Sequence, residues 1–480
     1  MRTRVLALVV WVALGGGALA DFQGLLTAAR TDDGAAALQL LEAGDDPDPP
    51  SWHDGYSPLQ FAARNGNLEL IAALLTSGAD TEYRDHNGER ALLWAVNAGA
   101  TEAVKMLLKA GSPVEAAADP HGVSPLMEAA RRGDTALCQL LMAHGARVNG
   151  FDDFGTTPIF LAARTANPQL VELLLAAGAN PNVVTDILIE TPLHYAALHP
   201  GSMVAQLLAA GASARVRNWK GQTALHNAAA AGNMDAVKTL IAARALLDAR
   251  DDAGLTPILM ALTPSKTGEL RGKQAALLLA RYSNDRDRAL IAALSVEAEA
   301  VARLLIARGV DVNFVPEDGP SMLAAAAGMS RTDFLEEILS RGVDVARFGG
   351  AALIAAAENN RHAAVTLLLK AGVAVDARGS LEETPLLVAA ALGQAEVAAV
   401  LLDAGADAGA VDAEGHGLTA YMAEQREGYA ARLDLLSQSR GLRPRLQTRI
   451  QAAAGEVEAG QARVRALLEA RGITLPAPAE

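Results

Sequence analysis

The sequence predicts a mainly α solenoid of about 12–13 short helix–turn–helix units, some of them degenerate. Three observations carry that expectation. One motif returns about every 33 residues, and apolar side chains sit at helical spacings inside each copy. Aromatic residues make up only 4% of a chain that is 51% hydrophobic, with alanine and leucine prominent. That composition suits thin helices packed closely rather than one large core.

Residues 152–184 show the unit most completely. Asp152-Asp153-Phe154-Gly155 reads as a turn in which Gly155 is free to take a positive φ. Thr157 offers a side-chain oxygen as N-cap, and Pro158 follows at the first helical position, where a missing N–H costs nothing. Ile159, Ala162 and Ala163 then share one face of a short helix, the alanines small enough for a neighbour to pack close. After a polar break, Leu170, Val171, Leu173, Leu174 and Leu175 make a second, more apolar helix. Gly178 is placed as its left-handed cap, and Asn180-Pro181-Asn182 turns the chain outward. Two helices this short cannot bury their apolar faces alone; they need copies of themselves on either side.

Those copies recur in phase. The position of Pro158 is taken by Pro58, Ala91, Pro125, Pro158, Pro192, Ala224 and Pro257, at spacings of 33, 34, 33, 34, 32 and 33. The opening motif reads SPLQFAA (57–63), SPLMEAA (124–130), TPIFLAA (157–163), TPLHYAA (191–197), TALHNAA (223–229) and TPLLVAA (384–390). The closing half reads LLTSGAD (74–80), LLAAGAN (174–180) and LLDAGAD (401–407). This pattern resembles the ankyrin repeat, whose signature Thr-Pro-Leu-His-x-Ala opens a helix–turn–helix. The resemblance covers residues 21–440 and implies an ankyrin-repeat solenoid with β-hairpin fingers. It also implies that His194 and His226, in the fourth place of the signature, make structural hydrogen bonds between units.

Four regions are expected along the chain. Residues 1–20 carry Arg2 and Arg4, the apolar run Val5–Leu14, and Ala18-Leu19-Ala20, the arrangement of a secretory signal peptide cleaved after Ala20. Residues 21–285 form the regular N-terminal block, opened by a weak terminal repeat and the stiff Asp45–Pro50 link. The segment TPSKTGEL (263–270) lengthens a turn between helices, and RYSNDRDR (281–288) replaces a finger, so a bend or seam is expected near residue 285. Residues 286–440 form a degenerate block whose reference positions Ala289, Met322, Ala352, Pro385 and Ala420 are spaced 33, 30, 33 and 35. Residues 441–480 read as a helical C-terminal cap and tail.

Charge excludes one class of partner. The formal net charge is −14, and losing Arg2 and Arg4 with the signal takes it to −16. Such a chain offers no electrostatic footprint for a nucleic-acid backbone, so no nucleic-acid partner is expected. No segment after the signal is apolar enough to insert in a membrane, and the mature chain is expected to be monomeric. An alanine-, arginine- and glycine-rich style resembles proteobacterial proteins, which sets the expected location as the periplasm or, with full secretion, beyond it.

Little in the sequence carries chemistry. No catalytic residue, metal ligand or cofactor is expected: the nine histidines form no ligand spacing, and no nucleophile elbow or phosphate loop occurs. Cys138, the single cysteine, aligns with Ile71 and Val104 on the inner face of a second helix and reads as a small buried hydrophobe.

Binding is better signalled. In ankyrin arrays, partners dock on finger tips and the adjoining ends of the first helices. The tips here hold Trp52, His53, Tyr56, His86, Asn87, His121, Phe154, Trp219 and Lys220. Beside them, Arg64, Arg131, Arg132 and Arg164 fall among the two residues that follow the paired alanines and form a candidate basic strip. Trp94 and Tyr195 occupy the place of Leu161 and read as packing between repeats. The finger Asp186–Glu190 departs from the pattern, with Ile189 where a turn glycine belongs; it is either differently shaped or an apolar contact in itself. The expected function is a non-catalytic protein-interaction module or scaffold in the periplasm. A secreted effector acting in a host or competitor cell shares the same fold, and a periplasmic enzyme or accessory factor is the remote alternative.

Overall fold

Helix pairs form wherever the motif recurs, and the reason is local. Ser57 caps its helix by accepting from the Gln60 N–H, and the Gln60 side chain returns the favour to the Ser57 N–H at 2.7 Å. Pro58 sits at the first helical position, and Gly66 ends the helix in the left-handed conformation at φ 71°. The computed structural model describes residues 24–49, 55–115, 121–265, 268–317, 319–379, 381–423 and 444–475. The signal region 1–20 and the candidate residues Trp52 and His53 lie outside them.

The chain divides into two compact units, Met1–Pro257 and Ile258–Glu480. In the first, the pairs are Gly24–Arg30 with Gly34–Glu42, Pro58–Asn65 with Leu68–Thr76, Ala91–Ala98 with Thr101–Lys109, and Pro125–Arg132 with Thr135–Ala143. They continue as Pro158–Arg164 with Pro168–Ala176, Pro192–Ala196 with Met203–Ala209, and Ala224–Ala231 with Met234–Ala242. First helices pack on first helices and second on second. The paired alanines of the motif, such as Ala62-Ala63 and Ala162-Ala163, are wholly buried between neighbours, as are Leu74, Leu107, Leu141, Leu174, Leu207 and Leu240. Each pair thereby buries a face that it could not bury alone. Asparagines stitch successive pairs: Asn167 Nδ2 donates to Gly133 O at 2.9 Å, and Asn233 Nδ2 to Ala197 O at 3.1 Å.

The second unit keeps the plan and varies the parts. Its pairs include Arg286–Ser295 with Glu299–Ala307, Met322–Ala327 with Asp333–Ser340, and Pro385–Ala391 with Ala395–Asp403. Between these, Val345–Glu358 is one 14-residue helix running through the place of a finger and a first helix. It can do so because Gly349 lets Val373 close in, where a Cβ would collide. The helix Pro444–Ala470 packs against the last pair. Gly460 meets Gly393 backbone to backbone there, and the buried Gln461 Nε2 donates to Ala391 O at 2.7 Å and Met422 O at 3.0 Å.

Two expectations need correction. No β-hairpin finger is formed: among the described residues there is no strand, because the fingers close on single turns, most of them headed by an aspartate or asparagine, rather than on a ladder. Thr157 stands at the N-cap position but makes no side-chain cap bond, and its buried Oγ1 has no partner. In sister repeats the fourth residue, His194 or His226, returns to the N-cap hydroxyl; here Phe160 fills that place and offers nothing polar.

Candidate partner-binding surface

The fingers are held by one recurring device. Asp152 Oδ1 accepts from the N–H groups of Phe154 and Thr156 at 2.9 and 2.8 Å. Asp85, Asn218 and Asp251 do the same for the residues two and four places on. The turn closes with the amide of the Asx residue on the carbonyl four residues later, as in Asp152 N to Thr156 O and Asn218 N to Gln222 O. Glycines 155, 221 and 254 supply the positive φ that this turn needs. The two residues in the middle are pushed outward. His86, Asn87, Phe154, Trp219 and Lys220 are accordingly exposed.

Neighbouring tips are also joined backbone to backbone. Asp153 N donates to His121 O, Asp186 N to Phe154 O, Trp219 N to Leu188 O and Asp252 N to Lys220 O, at 2.9–3.1 Å. The rings of His121 and Phe154 stand 5.8 Å apart, and Lys220 Nζ lies 4.8 Å above the Trp219 ring. The tips from His121 to Lys220 therefore make one supported row.

The finger 185–190 breaks the rule. Thr185 replaces the Asx residue, and its amide reaches Glu190 O, so this turn is one residue longer than its sisters. Ile189 takes a left-handed φ of 51°, which a β-branched side chain resists. Ile187 is 67% exposed, and Leu188 and Ile189 are exposed beside it. Phe151, on the preceding finger, is 72% exposed. An open groove of about 450 Å³ runs beside it, lined by Phe151, Val183, Val184, Asn149, Asn180, Gly155 and Thr157.

The remaining candidates are placed differently. Tyr56 is half-buried, edge-on to Phe61 at 5.6 Å and Trp94 at 5.1 Å. Arg64 lies over that cluster, 5.0 Å from the Phe61 ring centre. Arg131 forks onto the buried Glu128 at 2.7 and 2.5 Å, a hydrogen-bonded ion pair that raises its pKa. Arg132 Nη1 donates to Asn97 O at 2.6 Å and so serves the end of the preceding first helix. Arg164 is exposed. The four arginines thus fall among the two residues after the paired alanines, but three are engaged within the array. Phe151 escaped the sequence reading: the matching places hold Arg84, Arg217 and Arg250, and only aligning the fingers to one another would have singled it out.

Reactive chemistry finds no support at these positions. Burial pushes the Cys138 thiol up to about 12, away from the thiolate. Burial likewise lowers the pKa of His194 and His226, which are tied to Gln222 O and Leu255 O at 3.1 Å. Among the described residues no group of three or more His, Cys, Asp or Glu could hold a metal, and no helix is long and apolar enough to cross a membrane.

The family described as ankyrin repeats, in three copies, matches residues 25–118, 113–185, 193–267 and 321–412, well over half of the chain. The chain belongs to the ankyrin-repeat family. An ankyrin array is a protein–protein interaction module, and its fold class is the mainly α solenoid. A neurogenic locus notch homolog protein 1 of Homo sapiens is 33% identical over 174 residues, which is 35% of this chain and 6% of that protein. Its counterpart in Xenopus tropicalis is 30% identical over 173 residues, again 35% of this chain and 6% of that protein. A probable E3 ubiquitin-protein ligase XBOS33 of Oryza sativa subsp. japonica is 39% identical over 77 residues, 16% of this chain and 15% of that protein. The likeness to these proteins is confined to a small share of their length.

Proposed function

We propose that this ankyrin array is a non-catalytic binding module, working as a monomer, and that it holds another protein on the finger row of its first unit. The observation that carries the reading is the row itself, in which exposed Phe154 and Trp219 stand on turns braced to their neighbours by main-chain hydrogen bonds. Rigid supports lower the ordering cost of binding, and aromatic side chains on them act as anchors. The arrangement Arg2, Arg4, Val5–Leu14 and Ala18-Leu19-Ala20 supports export, with the module acting in the periplasm or beyond as a chain that starts at Asp21.

Partner capture from the native extracytoplasmic fraction tests the reading. The double change Phe154→Ala, Trp219→Ala should weaken capture by at least about tenfold while leaving the helical signal intact. Arg164→Glu should act mainly on association rate and salt dependence, as charges at a rim do. Glu172→Ala, on the exposed face of a second helix, should change nothing. If finger-row and control variants capture the same proteins equally, the finger row is not the working face. A mature N-terminus other than Asp21 would remove the export part alone.

A further inference from the structure

The longer finger is where the array departs from its own rule at a cost. Its sister turns in the first unit hold a glycine at the left-handed position, as Gly88, Gly155, Gly221 and Gly254 do, whereas this one holds Ile189 there at φ 51°. It also turns three consecutive aliphatic side chains, Ile187, Leu188 and Ile189, into solvent. Asp186 N bonds to Phe154 O on one side, and Trp219 N to Leu188 O on the other. Phe154, Ile187, Leu188, Ile189 and Trp219 therefore form one exposed apolar ridge across three adjacent fingers. Strain and exposure both oppose stability, and the main-chain bonds that tie this finger to its neighbours do not require aliphatic side chains at its tip.

Charge selects the occupant. Asp153 and Asp186 are exposed at the ridge, Asp252 follows at its far end, and Lys220 is drawn over the Trp219 ring. A second copy of the chain would bring Asp153 and Asp186 against their own kind, and an anionic lipid surface would be repelled by a chain of formal charge −14. We propose that this ridge docks an apolar segment of another protein flanked by lysine or arginine, the apolar core seated on Ile187–Ile189 and Trp219 and the basic flanks meeting Asp153 and Asp186. The proposal rests on the binding-module reading and specifies the partner's chemistry.

Two synthetic peptides with one Leu/Phe core, one flanked by lysines and one by glutamates, test it on the full chain by calorimetry. The lysine-flanked peptide should bind at least about tenfold more tightly at low salt. The gap should narrow near 1 M salt, where the screening length falls to about 3 Å. Ile187→Asn with Leu188→Asn should weaken it by at least about tenfold. Asp153→Lys with Asp186→Lys should reverse the preference between the two peptides. Ile189→Gly should raise the melting midpoint and weaken binding together; a rise in midpoint with unchanged binding would mark the strain as incidental and overturn the assignment of Ile189. Equal binding of the two peptides overturns the proposal. So does self-association abolished by Leu188→Asn, or co-sedimentation with phosphatidylglycerol vesicles. If Phe154 and Trp219 still govern partner capture while the peptides bind alike, only the basic-partner assignment falls. If Trp219→Ala also captures as the parent does, the module reading falls with it.

Discussion

The two units join their repeats with different chemistry. In three repeats of the first, the fourth residue of the motif is polar and reaches into the next repeat. Gln60 Nε2 donates to Glu89 O at 2.8 Å and Asp85 Oδ2 at 3.1 Å, His194 meets Gln222 O, and His226 meets Leu255 O. In the second, that place holds Ala324 or Leu387, which have nothing to donate. Arginines at the surface take over: Arg303 pairs with Asp333 at 2.6 Å, Arg331 with Glu299 at 3.4 Å and Arg361 with Glu297 at 3.3 Å. At these joints one architecture uses buried hydrogen bonds from a neutral side chain in the first unit and exposed ion pairs in the second. Stability in a repeat array is a sum of local and neighbour terms, so the units should answer to different solution variables.

The largest expected effect tests whether they can be addressed separately. Leu174 and Leu368 hold the same place in their repeats, four residues before the glycine that ends the second helix, and both are fully buried. Either change to alanine should cost about 2–5 kcal/mol. The tryptophans after Ala20, Trp52, Trp94 and Trp219, fall within the bounds of the first unit, so their fluorescence reports on it alone, whereas far-ultraviolet dichroism reports on both. Leu174→Ala should move the fluorescence transition in denaturant. Leu368→Ala should move only part of the dichroism transition, and a fluorescence shift of equal size would show that the units melt as one.

The contrast also explains what could be read in advance. The repeats were legible because a 33-residue period, a Thr-Pro start and a Gly stop are local signals, each fixed by the backbone position that it serves. The outward placement of Phe154 and Trp219 was legible for the same reason, since the turn forces its middle residues outward. The arginines were not: their place after the paired alanines says nothing of Glu128 beneath Arg131 or the Asn97 carbonyl beside Arg132, which come from the fold. The odd finger was half-legible, for Ile189 in a glycine place announced a departure but not the extra residue or the ridge.

Next in size is the loss of a buried hydrogen-bonding side chain. His226→Ala takes one of two donors from the Leu255 carbonyl, which keeps the Asp251 N–H, leaves the Thr223 N–H and hydroxyl without the imidazole, and should cost about 1–3 kcal/mol. The molecule supplies its own rescue, because Gln60 does the same work in an earlier repeat. His226→Gln with His194→Gln should therefore keep most of the stability at neutral pH and remove an acid sensitivity. Burial holds both histidines below their ordinary 6.5, so the unfolded chain takes up protons that the folded unit refuses. Their contribution is complete above pH 6.5 and is lost as the pH falls through the lowered values. The fluorescence midpoint of the parent should drop over that range, and that of the glutamine pair should hold. Equal acid loss in both would assign the effect to other groups.

The smallest effect belongs to the second unit, and it should appear under conditions that leave the first untouched. Asp333 receives hydrogen bonds from Arg303 and Arg331; burial alone would raise its pKa, but the two guanidiniums outweigh that and hold it below 3.8. The Ser330 hydroxyl, working against burial and aided by the Ser330 amide and Arg361, holds Glu297 below 4.5. Stability from these carboxylates is present above their ordinary values and lost as the pH falls through the lowered ones. All the partners are substantially exposed, so each pair should contribute about 0.2–1 kcal/mol and be screened by salt. Arg331→Ala should lower the dichroism midpoint of the second unit by an amount of that size at low ionic strength and by almost nothing near 1 M salt. His226→Ala should lower the fluorescence midpoint equally at both, because a buried neutral hydrogen bond is not screened. If the two variants show the same salt response, the repeats of the two units are held by the same kind of force, and the arginines of the second are decoration on an apolar stack.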